Sequence, residues 1–178
     1  METNYYETYN RNNVALIDAK KNPILSVTRN GLKTQERDFE VDVIIMAIGF
    51  DAMSGPLLNI DIRGRGGQTI QEKWQAGPRT YLGIATEGFP NLFIITGPQS
   101  PSVFYNMPSA IEDHVEFASD CIAYMNERGF ITCDATAEAE RKWVAHAKEE
   151  SDKTIVPLGK SYYMGTNIPG KPETCMVY

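Results

Sequence analysis

The sequence predicts an α/β fold whose sheet is short of strands. Two apolar runs, at 41–48 and 91–96, have the continuous pattern of strands that are covered on both faces, as in a parallel sheet. A hairpin is predicted before these runs and two helices after them. Because two buried strands and a hairpin do not make a doubly wound sheet, the strands need neighbours that this chain does not supply. An incomplete fold is the simplest explanation.

A hairpin and a long stretch without clear elements make up most of the first half. Asn30-Gly31 is a strong turn signal between the short apolar runs at 24–27 and 32–34. Residues 51–88 are rich in glycine and contain only short apolar pieces. So long a stretch inside a domain is typical of a functional segment or of a missing packing partner.

Two amphipathic helices are predicted in the second half. Ser109 can cap the first helix, Gly129 is a natural stop for it, and the second helix covers about 135–153. The apolar stripe of the first helix recurs at spacings of three and four residues, through Ile111, Val115, Ala118, Ile122 and Met125. Beyond Pro157 lies a tail rich in Gly, Pro and aromatic residues, without a helical or strand period.

The composition disfavours several classes of protein. Lys and Arg number 17 against 23 Asp and Glu, and the net charge of −6 argues against binding nucleic acid by charge. No apolar run reaches the roughly 18 residues of a membrane span, and the start does not resemble a signal peptide. Cys121, Cys133 and Cys175 lack the spacing of a zinc site or a disulfide framework. We therefore expect a cytoplasmic protein with no metal site and no nucleic-acid or membrane partner.

Three segments combine unusual residues in long, specific strings. The strand-end segment (42–51) is an apolar strand that ends at Gly49, where the backbone can turn at the sheet edge that carries ligands in α/β proteins. The loop segment (89–107) runs from an apolar strand through a Gly/Pro/Ser loop, which can bring backbone N–H groups to a flat or anionic cofactor. The tail segment (161–172) is aromatic and rich in Gly and Pro. The plainer interpretation of the last two is a proline-rigid loop that covers the core.

Read together, these segments strongly resemble the Baeyer–Villiger monooxygenases, flavoenzymes that insert an oxygen atom beside a ketone carbonyl. The similarity also includes residues 4–10, 61–64, 72–83 and 120–125, in order, and covers essentially the whole chain. It implies an incomplete FAD/NAD(P)-binding flavoprotein fold, which is an α/β fold with two dinucleotide-binding domains.

The resemblance also implies a division of the chain and a reaction. Residues 1–45 would close the NADP-binding domain, residues 46–156 would form the carboxy-terminal part of the FAD-binding domain, and residues 157–178 would be a tail that covers NADP and the substrate pocket. The implied cofactors are FAD and NADP, and the implied reactants are O₂ and a small ketone, which becomes an ester or lactone.

Much of the family's machinery is not found in this sequence. Neither Gly-rich dinucleotide loop occurs, and the family's catalytic arginine would lie just upstream of Met1. The resemblance therefore implies a carboxy-terminal fragment without a catalytic residue, inactive until the amino-terminal part of the same enzyme is present. The alternative is a free-standing small α/β binding or scaffold domain without catalysis. Cooperative unfolding would favour this alternative, whereas an excised piece is expected to aggregate or stay molten.

The resemblance assigns residues to the pocket. Those that would border the substrate cavity beside the flavin are Ser102, Val103, Phe104 and Met107. Those that would contact a cofactor are Gly49, Gly97, Pro98, Asn106, Met107, Tyr162 and Asn167, with the tail residues directed toward NADP. Tyr162 stands where the family usually has tryptophan, and Ile48 where it usually has threonine. Isoleucine cannot donate the hydroxyl hydrogen bond of threonine.

Overall fold

The strands and the long helices lie in different parts of the chain. The structure is a computed structural model that describes residues 3–100, 105–159 and 161–178. It divides into a first unit, Met1–Ile48, and a second unit, Gly49–Tyr178. The strands of the described residues all belong to the first unit, and both long helices belong to the second.

The first unit contains one short helix and an antiparallel sheet. Its elements are α1 (Tyr5–Tyr9), β1 (Ile24–Thr28), β2 (Gly31–Thr34) and β3 (Asp38–Glu40). The sheet order is β1-β2-β3, with Val27 opposite Leu32 in the first pair and Leu32 opposite Phe39 in the second. The predicted hairpin is confirmed, but its turn is Arg29-Asn30 and not the predicted Asn30-Gly31, because Gly31 already pairs with Thr28 as the first residue of β2.

The predicted buried strand at 41–48 is wrong. These residues are all described, they form no strand, and Ile45 is 85% exposed and Ile48 84% exposed. The Val41 N–H donates to Asn30 O at 3.0 Å, and after that contact the run leaves the sheet. An apolar run becomes a buried strand only where neighbouring backbone satisfies its N–H and C=O groups. The described part of the first unit offers this run no such neighbour.

Four helices and three short 3₁₀ turns form the described part of the second unit. The helices are α2 (Gly55–Leu58), α3 (Ile70–Lys73), α4 (Met107–Arg128) and α5 (Ala137–Asp152), and the turns are Arg65–Gly67, Val156–Gly159 and Tyr162–Met164. Both predicted long helices are confirmed. The first begins earlier than predicted, because Asn106 and not Ser109 is its N-cap, and it ends at Gly129 as expected. The second is capped by Thr136, whose Oγ1 accepts a hydrogen bond from Ala139 N–H at 3.1 Å.

The stretch 51–88, which lacks clear elements in the sequence, supplies much of the core. Ile70 and Trp74 of this stretch form a buried cluster with Phe89 and Ile94 of the following residues. The side chains packed against the cluster are Leu57, Leu58, Ile62 and Leu92. Helix α3 begins with a capping box, in which Thr69 Oγ1 accepts from Glu72 N–H at 3.2 Å and Glu72 Oε2 accepts from Thr69 N–H at 2.8 Å. The one-turn helices α2 and α3, of which α3 has the side-chain cap, therefore carry core residues that no sequence period reveals.

The second predicted strand, at 91–96, is also not a strand, but its burial was predicted in part correctly. Asn91 and Thr96 have φ of +62° and +50°, which are left-handed values that an extended strand cannot include. Ile94 is 7% exposed, and its N–H donates to Ile84 O at 2.7 Å. The run is thus a buried turn.

Helix α4 does not bury its most apolar stripe. Exposure is reduced along Ala110, His114, Ala118, Cys121 and Met125. The predicted stripe lies roughly 60° around the helix from this one, at about 100° per residue. Ile111, Val115 and Ile122 are therefore left 41%, 47% and 48% exposed, and none of the residues of α4 is fully buried.

No helix within 3–100, 105–159 and 161–178 combines the length and the apolar character needed to cross a bilayer. Among the same residues, no group of three or more His, Cys, Asp or Glu side chains is arranged to hold a metal ion.

Candidate functional site

The tail segment holds the residues that follow Gly49. Asn167 Nδ2 donates to Phe50 O at 3.0 Å, and Lys171 forms an ion pair with Asp51. Gly49 itself has φ of +83°, and a side chain placed there would meet no atom within 4 Å. The structure therefore brings the predicted positions Gly49 and Asn167 close together, although more than a hundred residues separate them in the sequence.

Tyr162 packs on its neighbour and stays partly open. Its ring centroid lies 4.2 Å from that of Tyr163. The hydrogen bond that the Tyr163 hydroxyl makes to Tyr162, together with burial, raises the pKa of Tyr163 to about 12. Tyr162 is 37% exposed, so its ring has a free surface. Beneath the pair, Met164, Cys175 and Val177 form a small buried cluster with Met53 and Val156.

Gly97 is required by a close approach of two backbone segments. A Cβ at this position would lie 2.4 Å from Gly83 O and 2.6 Å from the Ile94 side chain. The next residue, Pro98, is fully buried, and its carbonyl accepts a hydrogen bond from Thr80 Oγ1 at 2.8 Å. These two predicted cofactor residues are therefore held rigidly against the segment 80–83.

Gln99 connects the loop segment to three other parts of the second unit. Its side chain accepts from Thr80 N–H at 3.1 Å and donates to Pro78 O at 3.3 Å. Its backbone N–H donates to Met176 O at 2.9 Å, and its carbonyl accepts from Trp143 Nε1 at 3.1 Å. Gln99 is buried with φ of +70°, a strained conformation that these bonds maintain.

A mostly apolar cavity of about 600 Å³ lies between the loop segment, α4 and the last residue. This volume is in the range of small-molecule sites, roughly 300–1,000 Å³. Tyr105 OH donates to Asp113 Oδ2 at 3.0 Å, and this bond raises the pKa of Tyr105. His114 Nδ1 accepts from Thr96 N–H at 3.0 Å. The lining residues are Leu82, Ile84, Ser100, Tyr105, Ala110, Asp113, His114, Phe117, Trp143 and Tyr178.

A buried carboxylate anchors helix α5 beside this cavity. Glu140 is 2% exposed and forms ion pairs with Arg79 at 3.2 Å and Lys73 at 3.3 Å. Paired cations compensate for the loss of water around a buried carboxylate. One turn further on, Trp143 packs on Tyr178 with ring centroids 4.7 Å apart. The ion pairs thereby fix one wall of the cavity.

The predicted substrate residues Ser102, Val103 and Phe104 lie outside the described residues. Ser100 and Tyr105, which flank them in the chain, both line the cavity. The remaining predicted pocket residues are placed as follows: Gly97 and Pro98 in the rigid loop, Asn106 and Met107 exposed at the start of α4, Gly49, Tyr162 and Asn167 around the tail.

Several residues of the site carry no sequence signal. Gln99, Thr80 and His114 act through hydrogen bonds to residues that are distant in the sequence, which no periodicity predicts. Trp143 offers a partial signal, because an isolated tryptophan on a thinly apolar helix requires a packing partner.

Comparison with known proteins gives a consistent result. No family model matches the chain. A Baeyer–Villiger monooxygenase of Pseudooceanicola batsensis is 44% identical over 176 residues, which are 98% of this chain and 32% of the relative. A cyclohexanone 1,2-monooxygenase of an Acinetobacter species is 40% identical over 178 residues, 99% of this chain and 32% of that enzyme. The solved complex of OTEMO with FAD and NADP has a TM-score of 0.87 at 39% identity, covering 100% of this chain and 33% of that one.

These matches define the class of protein. The chain has part of the fold of FAD- and NADP-binding monooxygenases, and the predicted fold class is confirmed. Within that class, the chain is homologous to the Baeyer–Villiger monooxygenases along nearly its whole length, which confirms the resemblance found in the sequence. The chain spans about a third of the length of the curated relatives that it matches, 32% in each case.

The start of α4 fits a flavin. The first bond of this helix runs from Ala110 N–H to Asn106 O at 3.1 Å, so the N–H groups of Met107 and Ser109 precede the helical ladder. Such an end presents backbone donors and a positive dipole to an electron-rich ring edge. Asn106 makes no side-chain cap, and both Asn106 and Met107 are exposed. An amide and a soft apolar side chain are thus open to a flat ligand.

Proposed function

We propose that the protein to which this chain belongs is a Baeyer–Villiger monooxygenase. It would convert a ketone, O₂, NADPH and a proton into an ester or lactone, NADP⁺ and water. The observation that carries this proposal is the identity of about 40% along essentially the whole chain to enzymes of that family. Contacts within the second unit support it: the tail segment holds Phe50, at the end of the strand-end segment, and Met176 accepts a hydrogen bond from Gln99 of the loop segment.

In this proposal the chain binds and orients, and FAD supplies the oxygen chemistry when it is bound. Asn106 and Met107 would contact the flavin at the start of α4, and Gly97 and Pro98 would hold the adjoining loop in place. Ser102, Val103, Phe104 and Met107 would border the ketone. We assign no catalytic residue to this chain.

The tail and the first unit would serve NADP. Tyr162, with its partly exposed ring, and Asn167, which holds the backbone after Gly49, would lie toward this cofactor. We assign residues 1–45 to the NADP-binding domain, 46–156 to the FAD-binding domain and 157–178 to the covering tail. The division between Ile48 and Gly49 supports the first boundary.

The partner that completes the site would be the amino-terminal part of the same enzyme. The run at 41–48 exposes apolar side chains that a folded protein normally covers. The same is true of the outer stripe of α4, which consists of Ile111, Val115 and Ile122. The relatives are about three times as long as the part that this chain matches, which gives room for such a partner.

A chimera tests the proposal. The part of the Acinetobacter cyclohexanone 1,2-monooxygenase that aligns with this chain is replaced by the chain itself. We expect the purified chimera to retain FAD and to oxidise NADPH only when cyclohexanone is present, with the ring-expanded lactone as product. The chain alone should not bind FAD, because most of the cofactor site would lie elsewhere.

Two glycine variants of the chimera serve as a matched pair. Gly97→Ala should lose FAD because its methyl group would collide with Gly83 O, whereas Gly159→Ala should retain it because no atom lies near that position. A well-folded chimera that binds FAD but forms no lactone would contradict the proposed reaction. Tight, stoichiometric FAD binding by the chain alone would instead favour an autonomous flavin-binding module.

A further inference from the structure

Two of the cysteines lie side by side in the second unit. Cys121 Sγ and Cys133 Sγ are 3.4 Å apart, and both side chains are half-buried. Cys121 belongs to the inward stripe of α4, and Cys133 lies in the connection between α4 and α5. The third cysteine, Cys175, is buried in the tail cluster, and its thiol donates to Val177 O at 3.2 Å.

We propose that Cys121 and Cys133 form a reversible disulfide when the protein meets a low-molecular-weight disulfide such as oxidised glutathione. The inference is independent of the proposed monooxygenase activity.

Both cysteines are held in place by their backbones. Cys133 N–H donates to Asn91 Oδ1 at 2.9 Å, and Cys133 O accepts from Asn91 N–H at 2.8 Å. Asn91 Nδ2 also donates to Ile131 O at 3.1 Å. Cys121 is fixed by the helical ladder of α4. The sulfur atoms need only to close from 3.4 Å to the bonded distance of about 2.05 Å, a small movement for two side chains.

The chemistry is thiol–disulfide exchange. One protein thiolate attacks a sulfur of glutathione disulfide, forms a mixed disulfide and releases one glutathione. The second cysteine then attacks the mixed disulfide, forms the Cys121–Cys133 bond and releases the second glutathione. Two protein thiols are oxidised, one external disulfide is reduced to two thiols, and both protons pass to the released glutathione. Burial and the hydrogen bond with Cys121 raise the pKa of Cys133. Cys121 would therefore react first with glutathione disulfide, and Cys133 would attack the resulting mixed disulfide in the second step.

Such a bond would join α4 to the core. Asn91, which holds Cys133, directly precedes Leu92, and Leu92 packs against the buried cluster. The other end of α4 carries Asp113 and His114, which line the cavity. Oxidation would therefore link α4, which forms one wall of the cavity, to the core.

Peptide mapping tests the proposal on the purified chimera, because the chain by itself is expected to aggregate or stay molten. Trypsin cleaves after Arg128, between the two cysteines, so the disulfide would link the peptides 80–128 and 129–141. The chimera is treated with oxidised glutathione in native buffer or in guanidinium chloride, and free thiols are then alkylated. We expect the ratio of linked peptide to glutathione-capped cysteine to be at least about tenfold higher in native buffer, because the fold aligns the thiols.

Single variants separate the pair from the third cysteine. Cys175→Ser should form the same linked peptide, whereas Cys133→Ser should accumulate glutathione on Cys121. Equal ratios in both buffers, a stable glutathione cap on Cys121 of the unaltered chain, or linkage mainly to Cys175 would each overturn the proposal.

Discussion

The two apolar runs that look alike in the sequence, 41–48 and 91–96, end in opposite environments. Neither forms a strand, yet Ile45 is 85% exposed and Ile94 is 7% exposed. The second run is framed by the Ile84 carbonyl and by a buried cluster, whereas the described residues offer the first run no cover. An apolar run is therefore buried only where another surface of the protein packs against it.

The same contrast separates the two long helices. Helix α5 buries Glu140, Ala147 and Ser151, while α4 buries no residue completely. The exposed surfaces, which are the run at 41–48 and the outer stripe of α4, are the ones that the amino-terminal part of a monooxygenase would cover under our proposal.

Removal of the buried carboxylate of α5 should weaken the packed region. Glu140→Ala removes the buried partner of Lys73 and the acceptor of the Thr86 hydroxyl and the Glu87 N–H, and we expect a loss of about 3 kcal/mol in local stability. Hydrogen exchange of the amides in 84–94 measures this loss. On the same helix, Glu138 forms an exposed ion pair with Lys142, and Glu138→Ala should cost only about 0–0.5 kcal/mol. Equal losses would show that burial of Glu140 is unimportant.

Truncation of one isoleucine in each apolar run should change local stability by very different amounts. Ile94→Ala opens a cavity in the core and should lower local stability by about 2–5 kcal/mol, whereas Ile45→Ala should change it by less than about 0.5 kcal/mol. Hydrogen exchange again provides the measurement.

The chimera should respond differently to Ile45→Ala. There the substitution should lower local stability, because the rest of the enzyme would cover the run at 41–48. An effect of Ile45→Ala that stays negligible in a chimera with bound FAD would contradict the idea that the run is an interface.

The helix starts offer a smaller contrast. Thr136 Oγ1 caps α5, so Thr136→Ala should cost about 1 kcal/mol. Asn106 makes no side-chain cap on α4, and Asn106→Ala should leave the stability of that helix almost unchanged. Hydrogen exchange in the first turn of each helix distinguishes the two, and a similar loss in α4 would show that Asn106 does cap it.

The tail should show an effect that is visible only at high pH. The pKa of Tyr163 is raised from 10.0 to about 12, so the folded state holds this proton more tightly than the unfolded state. The resulting stabilisation is complete below pH 10 and is lost as the pH rises through about 12. The ultraviolet difference spectrum between the unaltered chain and Tyr163→Phe isolates this phenolate. Tyr162→Phe should return its pKa toward the ordinary value.

Local chemistry explains which features could be predicted. The hairpin at Asn30, the end of α4 at Gly129 and the extent of α5 depend on turn residues, caps and periodicity within a few neighbouring residues. The buried face of α4 was not predictable, because its inward stripe contains His114 and Cys121 while more apolar residues stay exposed. The choice between the two stripes depends on which surface the chain presents to the helix.

The family, the hairpin and the long helices are evident from the chain alone, because they depend on residue strings and local propensities. The contacts of Gln99 with Thr80, Trp143 and the tail, the ion pairs by which Glu140 anchors α5, and the contact between Cys121 and Cys133 exist only in the folded protein. Each of these contacts joins residues that are distant in sequence, and their energy depends on distances and burial that exist only once the chain has folded.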